Sequence, residues 1–209
     1  MIGLFFGFAL YSLFENELII YFPNKSKKMI TNFLAATHII NLLLLSIIYY
    51  ITSYNLTIEK YILYNTCGYF CYDALTFIKT RSFSFGDIVL IYHHIIISIY
   101  FLNPVVCDNW YVLLIYAELS NIPGIFVYHY LQLKKSGDHH QIKLQLLKEL
   151  QFYIYSFFRC GIMSYYLFIE LKLIYYSEES RNVYFYATLP LYFLAFFWSY
   201  VLYNSKNNS

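Results

Sequence analysis

The stretch Asp87–Phe101, DIVLIYHHIIISIYF, sets two adjacent histidines, His93 and His94, in the middle of an apolar run. An imidazole in apolar surroundings costs free energy unless both ring nitrogens find partners. The pair is therefore either an accident at a water-filled edge or the polar interior of a helical bundle. The rest of the chain favours the bundle. Of its 209 residues 60% are hydrophobic and only 12% charged, and the mean hydropathy is +0.50. A soluble domain carries roughly 25% charged residues. Apolar runs of roughly 17–25 residues, enough to cross a bilayer at about 1.5 Å per residue, recur along the chain.

The expected fold class is all-α, a polytopic membrane bundle of about seven transmembrane helices. The spans read as 2–22, 29–51, 59–78, 86–103, 110–131, 150–175 and 183–203. Glu15 and Glu17 interrupt the first, and Gly86 and Pro104 bound the fourth. There is no internal repeat and no loop long enough for a second domain. The N-terminus lacks the basic region and small-residue cleavage site of a signal peptide, so the first run reads as a span.

Orientation follows from Lys and Arg near the span ends. The loops after spans one, three and five, with the tail, hold ten of them: Lys25, Lys27, Lys28, Lys79, Arg81, Lys134, Lys135, Lys143, Lys148 and Lys206. The opposite loops hold three, Lys60, Lys172 and Arg181. This bias predicts a lumenal N-terminus and a cytosolic C-terminus. It puts the sequon Asn55-Leu56-Thr57 in a lumenal loop and Asn24-Lys25-Ser26 in a cytosolic one.

Several features carry little. A net charge of +2 with no basic stripe gives no reason to expect nucleic acid. The 26 Tyr and 20 Phe read as codon bias of an AT-rich genome, which weakens any single tyrosine as a functional signal. Cys67, Cys71, Cys107 and Cys160 lack zinc or disulfide spacing, and no metal site is expected. Cys67 and Cys71 share a helix face and read as packing residues. A di-iron lipid hydroxylase needs about eight histidines in spaced boxes, whereas this chain has six and no HxxxH. A seven-helix receptor fits the span count, but no signalling surface is legible.

Asp73, His93 with His94, Glu118 and Arg159 are the ionisable groups within spans, and such residues face the interior and are functional candidates by default. Asn65, Tyr69 and Asp73 recur every four residues on one face of the third span, and His94 and Ser98 share a face of the fourth. Glu118, Asn121 and the Pro123-Gly124 break lie together on the fifth. A Pro-Gly pair within a span is tolerated where the helix lines a cavity or finds packed partners. Neighbouring histidines point about 100° apart on a helix, so only one of His93 and His94 is expected to act. The expectation is that all these groups converge on one lipid-holding chamber. The plainer alternative is that acid–arginine pairs merely fix helix register. His38 and His129 are single and read as flanking the interfaces, His38 as structural and His129 at a solvated end. The pair in Gly137–Gln141, GDHHQ, reads as a solvated loop.

Taken in order, His38, GYFCYD (Gly68–Asp73), DIVLIYHH (Asp87–His94), AELSNIP (Ala117–Pro123) and FFRCG (Phe157–Gly161) resemble the TLC domain family, to which ceramide synthases belong. The resemblance covers about Lys27 to Asn204. It divides the chain into a first helix and loop (1–26), a TLC domain (27–204) and a cytosolic tail (205–209). It implies a bundle around a lipid or acyl chain in the endoplasmic reticulum of a eukaryotic host or cell, with membrane lipids as partners and a homodimer as one assembly. The ceramide-synthase signature pairs a double histidine with a later His-Asp and a further Asp. Here His93-His94 stand for the first element, but Ala117-Glu118 and Asn121 fall where the others belong. That departure moves the chain toward the smaller TLC proteins, and so toward lipid binding or sensing that affects membrane lipid composition. The alternative is acyl-CoA-dependent N-acylation of a lipid amine. His93 or His94 would then be the base, Glu118 or Asp73 would orient it, and Arg159 would meet negative charge. Acyl-CoA is the implied co-substrate, and no bound cofactor is expected.

Overall fold

A serine, an asparagine and an unusual turn set a helical hairpin in the first half of the chain. Ser26 caps the helix Lys27–Ile51 by accepting a bond from the Met29 amide at 3.3 Å. That helix ends where the amides of Thr52 and Tyr54 turn back to the carbonyls of Ile48 and Tyr49, each at 2.9 Å. Ser53 and Tyr54 follow with φ of 54° and 65°, left-handed positions that glycine normally fills. Asn55 then opens the next helix, its Oδ1 accepting from the Thr57 amide at 2.9 Å.

The computed structural model describes residues 2–80, 85–102, 110–135, 141–166, 168–169 and 180–207. Among them the regular structure is entirely helical, as the sequence implies. The helices are α1 (Ile2–Tyr21), α2 (Lys27–Ile51), α3 (Leu56–Thr80), α4 (Phe85–Leu102), α5 (Trp110–Leu119), α6 (Ile122–Lys135), α7 (Gln141–Tyr155) and α8 (Ser180–Asn207). A π-helical segment, Ser156–Ile162, continues α7. The chain divides into two compact units, Met1–Asp108 and Asn109–Ser209.

In the first unit α3 is central and packs on α1, α2 and α4. The α1–α3 crossing is made by glycine against glycine. A Cβ on Gly68 would lie 2.6 Å from the Gly7 carbonyl carbon, and one on Gly7 would lie 2.6 Å from the Tyr64 carbonyl oxygen. Backbones this close require residues without side chains. Around the crossing, Leu34, Leu42, Ile62 and Cys67 are fully buried. In the second unit α7 packs on α6 and α8, while the π segment packs on α5, α7 and α8.

Both units bury polar side chains beside their apolar cores and expose large apolar ones. His38 and Thr66 are 0% exposed, and Asp73, His94, Glu118 and Arg159 lie between 6% and 8%. Phe5 and Phe6 of α1, Ile51 of α2 and Phe193 of α8 are each 67–72% exposed. By length and apolarity alone, one described helix stretch, Met29–Ile51, qualifies to cross a bilayer, with a mean hydropathy of 1.9.

Several segments differ from the sequence expectation. Glu15 and Glu17 do not interrupt α1, since the run Glu15–Glu17 lies within an unbroken helix. The fifth span, expected as one helix, is two, separated at Ser120–Asn121, and Pro123 stands in the first turn of α6, where its missing N–H is harmless. The sixth starts not at 150 but at Gln141, so Lys143 and Lys148 lie on a helix and not in a loop. The sequence QIKLQLLKEL buries Leu144 on one face while Lys143 stays exposed, an amphipathic pattern that continues the helix past the charges. Asn204–Asn207 are still helical. The Gly137–His140 part of GDHHQ, Arg81 and Cys107 lie outside the described residues.

Candidate functional site: a buried polar cluster in each unit

In the first unit the face of α3 expected from Asn65, Tyr69 and Asp73 meets α1 and α2 at its first turns and α4 at its last. Asn65 Oδ1 accepts from the Tyr11 hydroxyl of α1 at 3.1 Å and from Asn41 Nδ2 of α2 at 3.4 Å. The Tyr11 hydroxyl also lies 3.1 Å from His38 Nδ1. A phenol has one proton, and here it goes to Asn65, so His38 Nδ1–H donates to Tyr11 and Nε2 carries the lone pair. Among the described residues His38 Nε2, Asn65 Nδ2 and Thr66 Oγ1 are buried without a hydrogen-bond partner. One turn on, Tyr69 stacks on the His38 ring at 4.2 Å and 11°. Phe70, beside it, stacks on the His94 ring at 4.8 Å and 7°. The next turn brings Asp73 Oδ2 to 3.4 Å from His94 Nδ1.

His93 and His94 separate as their helical spacing requires. His94 is buried against Phe70 and Asp73, whereas His93 is half-buried with its ring 5.6 Å from that of His94. Ser98, one turn beyond His94, is buried, and its carbonyl lies 3.9 Å from Cys67 Sγ. Cys67 is fully buried, in keeping with a packing role.

The second cluster is built on broken helices. The end of α5 leaves the carbonyl of Ala117 with two side-chain donors: Ser120 Oγ at 2.5 Å and Arg159 Nη2 at 3.0 Å. Arg159 Nε donates in addition to Ser120 Oγ at 2.9 Å. The guanidinium also lies 5.5 Å from the centre of the Tyr155 ring. Glu118, on the same turn, accepts from Asn121 Nδ2 at 3.3 Å. The π segment that carries Arg159 is held from α8, where Ser199 Oγ meets both Ser156 Oγ and Cys160 Sγ at 3.1 Å. Such widened turns are common at functional sites because they re-aim a side chain without ending the helix.

The residues singled out from the sequence thus fall into two sets. Asp73, His93, His94 and Ser98 belong to the first unit, and Glu118, Asn121 and Arg159 to the second. His38 departs from its expected position: it sits at the middle of α2, not near an end, and at the centre of a network that also recruits Tyr11 and Asn41. The signal was present, since a lone histidine halfway along a helix long and apolar enough to cross a bilayer needs a partner. Tyr11 and Ser120 had no such signal, one being lost among 26 tyrosines and the other being a residue that is at home in any turn. Among the described residues no group of three or more His, Cys, Asp or Glu is arranged to hold a metal ion. Comparison with protein-family models, curated proteins and solved structures found no match to this chain.

Proposed function

We propose that this chain is a multi-pass membrane protein of the TLC type, with about seven spans, that binds or senses lipid acyl chains and thereby affects membrane lipid composition. One observation carries the proposal: charged and hydrogen-bonding side chains are buried in both units while Phe, Ile and Leu cover their outsides. In water that arrangement would leave many large apolar side chains exposed, whereas in a bilayer it is the low-energy one. Tyrosine lowers the mean hydropathy of the other helices yet is at home at membrane interfaces, so spans rich in it are compatible with crossing. The basic bias supports a lumenal N-terminus and a cytosolic C-terminus, and the family resemblance supports the endoplasmic reticulum. Membrane lipids are the partners in this reading. The unpartnered donors and acceptors around His38 suit the polar end of an amphiphile.

A second reading, acyl-CoA-dependent N-acylation of a lipid amine, is favoured by the contact of Asp73 with His94. A carboxylate 3.4 Å from Nδ1 favours the proton on that nitrogen and leaves Nε2 as the base. It would take the proton of the amine as nitrogen attacks the thioester carbonyl and the thiolate of CoA departs. His94 is the base in this scheme and Asp73 its positioning residue.

The test uses the full chain in nanodiscs. Native mass spectrometry reads co-purified lipid, and labelled acyl-CoA with sphinganine reads transfer. Retained lipid without product is the expected outcome. Product that vanishes in His94→Ala and persists in His93→Ala establishes the second reading instead. A chain that extracts into buffer without detergent would end both.

A further inference from the structure

Arg159 is a cation more than nine-tenths buried, and the buried carboxylate within its electrostatic reach, Glu118, makes no ion pair with it at contact distance. Its two hydrogen bonds go to neutral acceptors, Ser120 Oγ and the Ala117 carbonyl. The carboxylate on that turn, Glu118, spends its own bond on Asn121. A guanidinium has five N–H donors in one plane, and Nε and Nη2 have committed two of them. The remaining donors, both protons of Nη1 among them, form the edge that takes a carboxylate or phosphate in two parallel bonds. The clasp to Ser120 and Ala117 fixes the plane of the group in advance, so little side-chain entropy is left to lose on binding. A charge held in a low-dielectric interior is costly until an anion joins it.

We infer that Arg159, aimed by the π segment and by its bonds to Ser120 and Ala117, is the anchor for the anionic headgroup of an amphiphile. The chemistry shared by its ligands is a carboxylate or phosphate joined to a long apolar tail. The inference deepens the lipid-binding reading and rests on it, adding a headgroup charge that the first cluster does not specify. Glu118 lies on the same turn as the clasp and shares the field of Arg159, so the anion binds most readily when Glu118 is protonated.

The full chain in phosphatidylcholine nanodiscs is titrated with three probes of matched tail: palmitate, a dipalmitoyl phosphatidic acid and the uncharged dipalmitoylglycerol. Saturable binding of palmitate or phosphatidic acid is expected, and which of the two binds more tightly identifies the source of the anion. Arg159→Gln should weaken that binding about thirtyfold, the cost of removing one partner of a buried charge pair, and leave dipalmitoylglycerol unchanged. Should that variant fail to fold, Arg159→Lys keeps the charge and loses the two-pronged edge. It should weaken anion binding about fivefold with no effect on the uncharged probe. Anion affinity equal in wild type and Arg159→Lys overturns the inference. So does a wild type that binds dipalmitoylglycerol as tightly as the anions, although the lipid-binding reading survives that result. Binding of none of the three ends both.

Discussion

The two units bury polar side chains by opposite means. In the first, α1–α4 run unbroken for 18–25 residues, and polar side chains meet one another: Tyr11 bonds His38 and Asn65, and Asp73 stands in ion-pair contact with His94. In the second, the helices give way at Ser120–Asn121 and widen at Ser156–Ile162, and polar side chains satisfy the backbone so released. The lesson is about what a buried donor needs. An intact helix has its carbonyls already paired, and although small hydroxyls such as those of Ser12 and Ser46 share the carbonyl four residues back, its larger polar residues find other side chains, aligned across several helices. A broken helix offers carbonyls of its own, so one arginine is enough.

Glycine separates the units most sharply. Gly68→Ala should cost about 3 kcal/mol, because its Cβ would meet the backbone of α1, which has no rotamer to yield. Gly161→Ala, where a Cβ meets nothing within 4 Å, should be neutral or stabilise by about 0.5 kcal/mol. Thermal unfolding in detergent can follow each unit separately. Both tryptophans, Trp110 and Trp198, lie in the second unit, and maleimide labelling of the fully buried Cys67, in a variant lacking the other cysteines, reports the first. Equal losses at Gly68 and Gly161 would erase the contrast.

Smaller effects sharpen it. Ser120→Ala removes one acceptor of Arg159 and should cost about 1.5 kcal/mol, seen in tryptophan fluorescence and not in Cys67 labelling. Tyr11→Phe removes a hydroxyl that serves both His38 and Asn65, and should cost about 1 kcal/mol with the readouts reversed. The smallest change is expected at the α2–α3 turn. Ser53→Gly relieves a left-handed serine and should raise stability by about 0.5–1 kcal/mol, visible as slower Cys67 labelling.

The apolar runs, the inward face of Asn65, Tyr69 and Asp73, and the divergence of His93 from His94 were all legible before the structure, whereas which of the two histidines turns inward was not. Each legible feature follows from helical periodicity and from the cost of placing a polar group in an apolar setting, which are properties of the chain read residue by residue. The glycine crossing was not legible, because Gly7 and Gly68 have meaning only when α1 and α3 are known to touch. Nor was the break at Ser120–Asn121, where Pro123-Gly124 drew attention to residues that in fact belong to the first turn of the next helix.

By itself, then, the sequence determined that this chain is helical and which side chains avoid the apolar exterior, because transfer and periodicity are local terms. Tertiary structure alone decided the partners: Asp73 for His94, Tyr11 and Tyr69 for His38, and Ser120 with the Ala117 carbonyl for Arg159. Hydrogen bonds and ring stacking fall off within a few ångströms, and such distances between helices do not exist until the helices have packed.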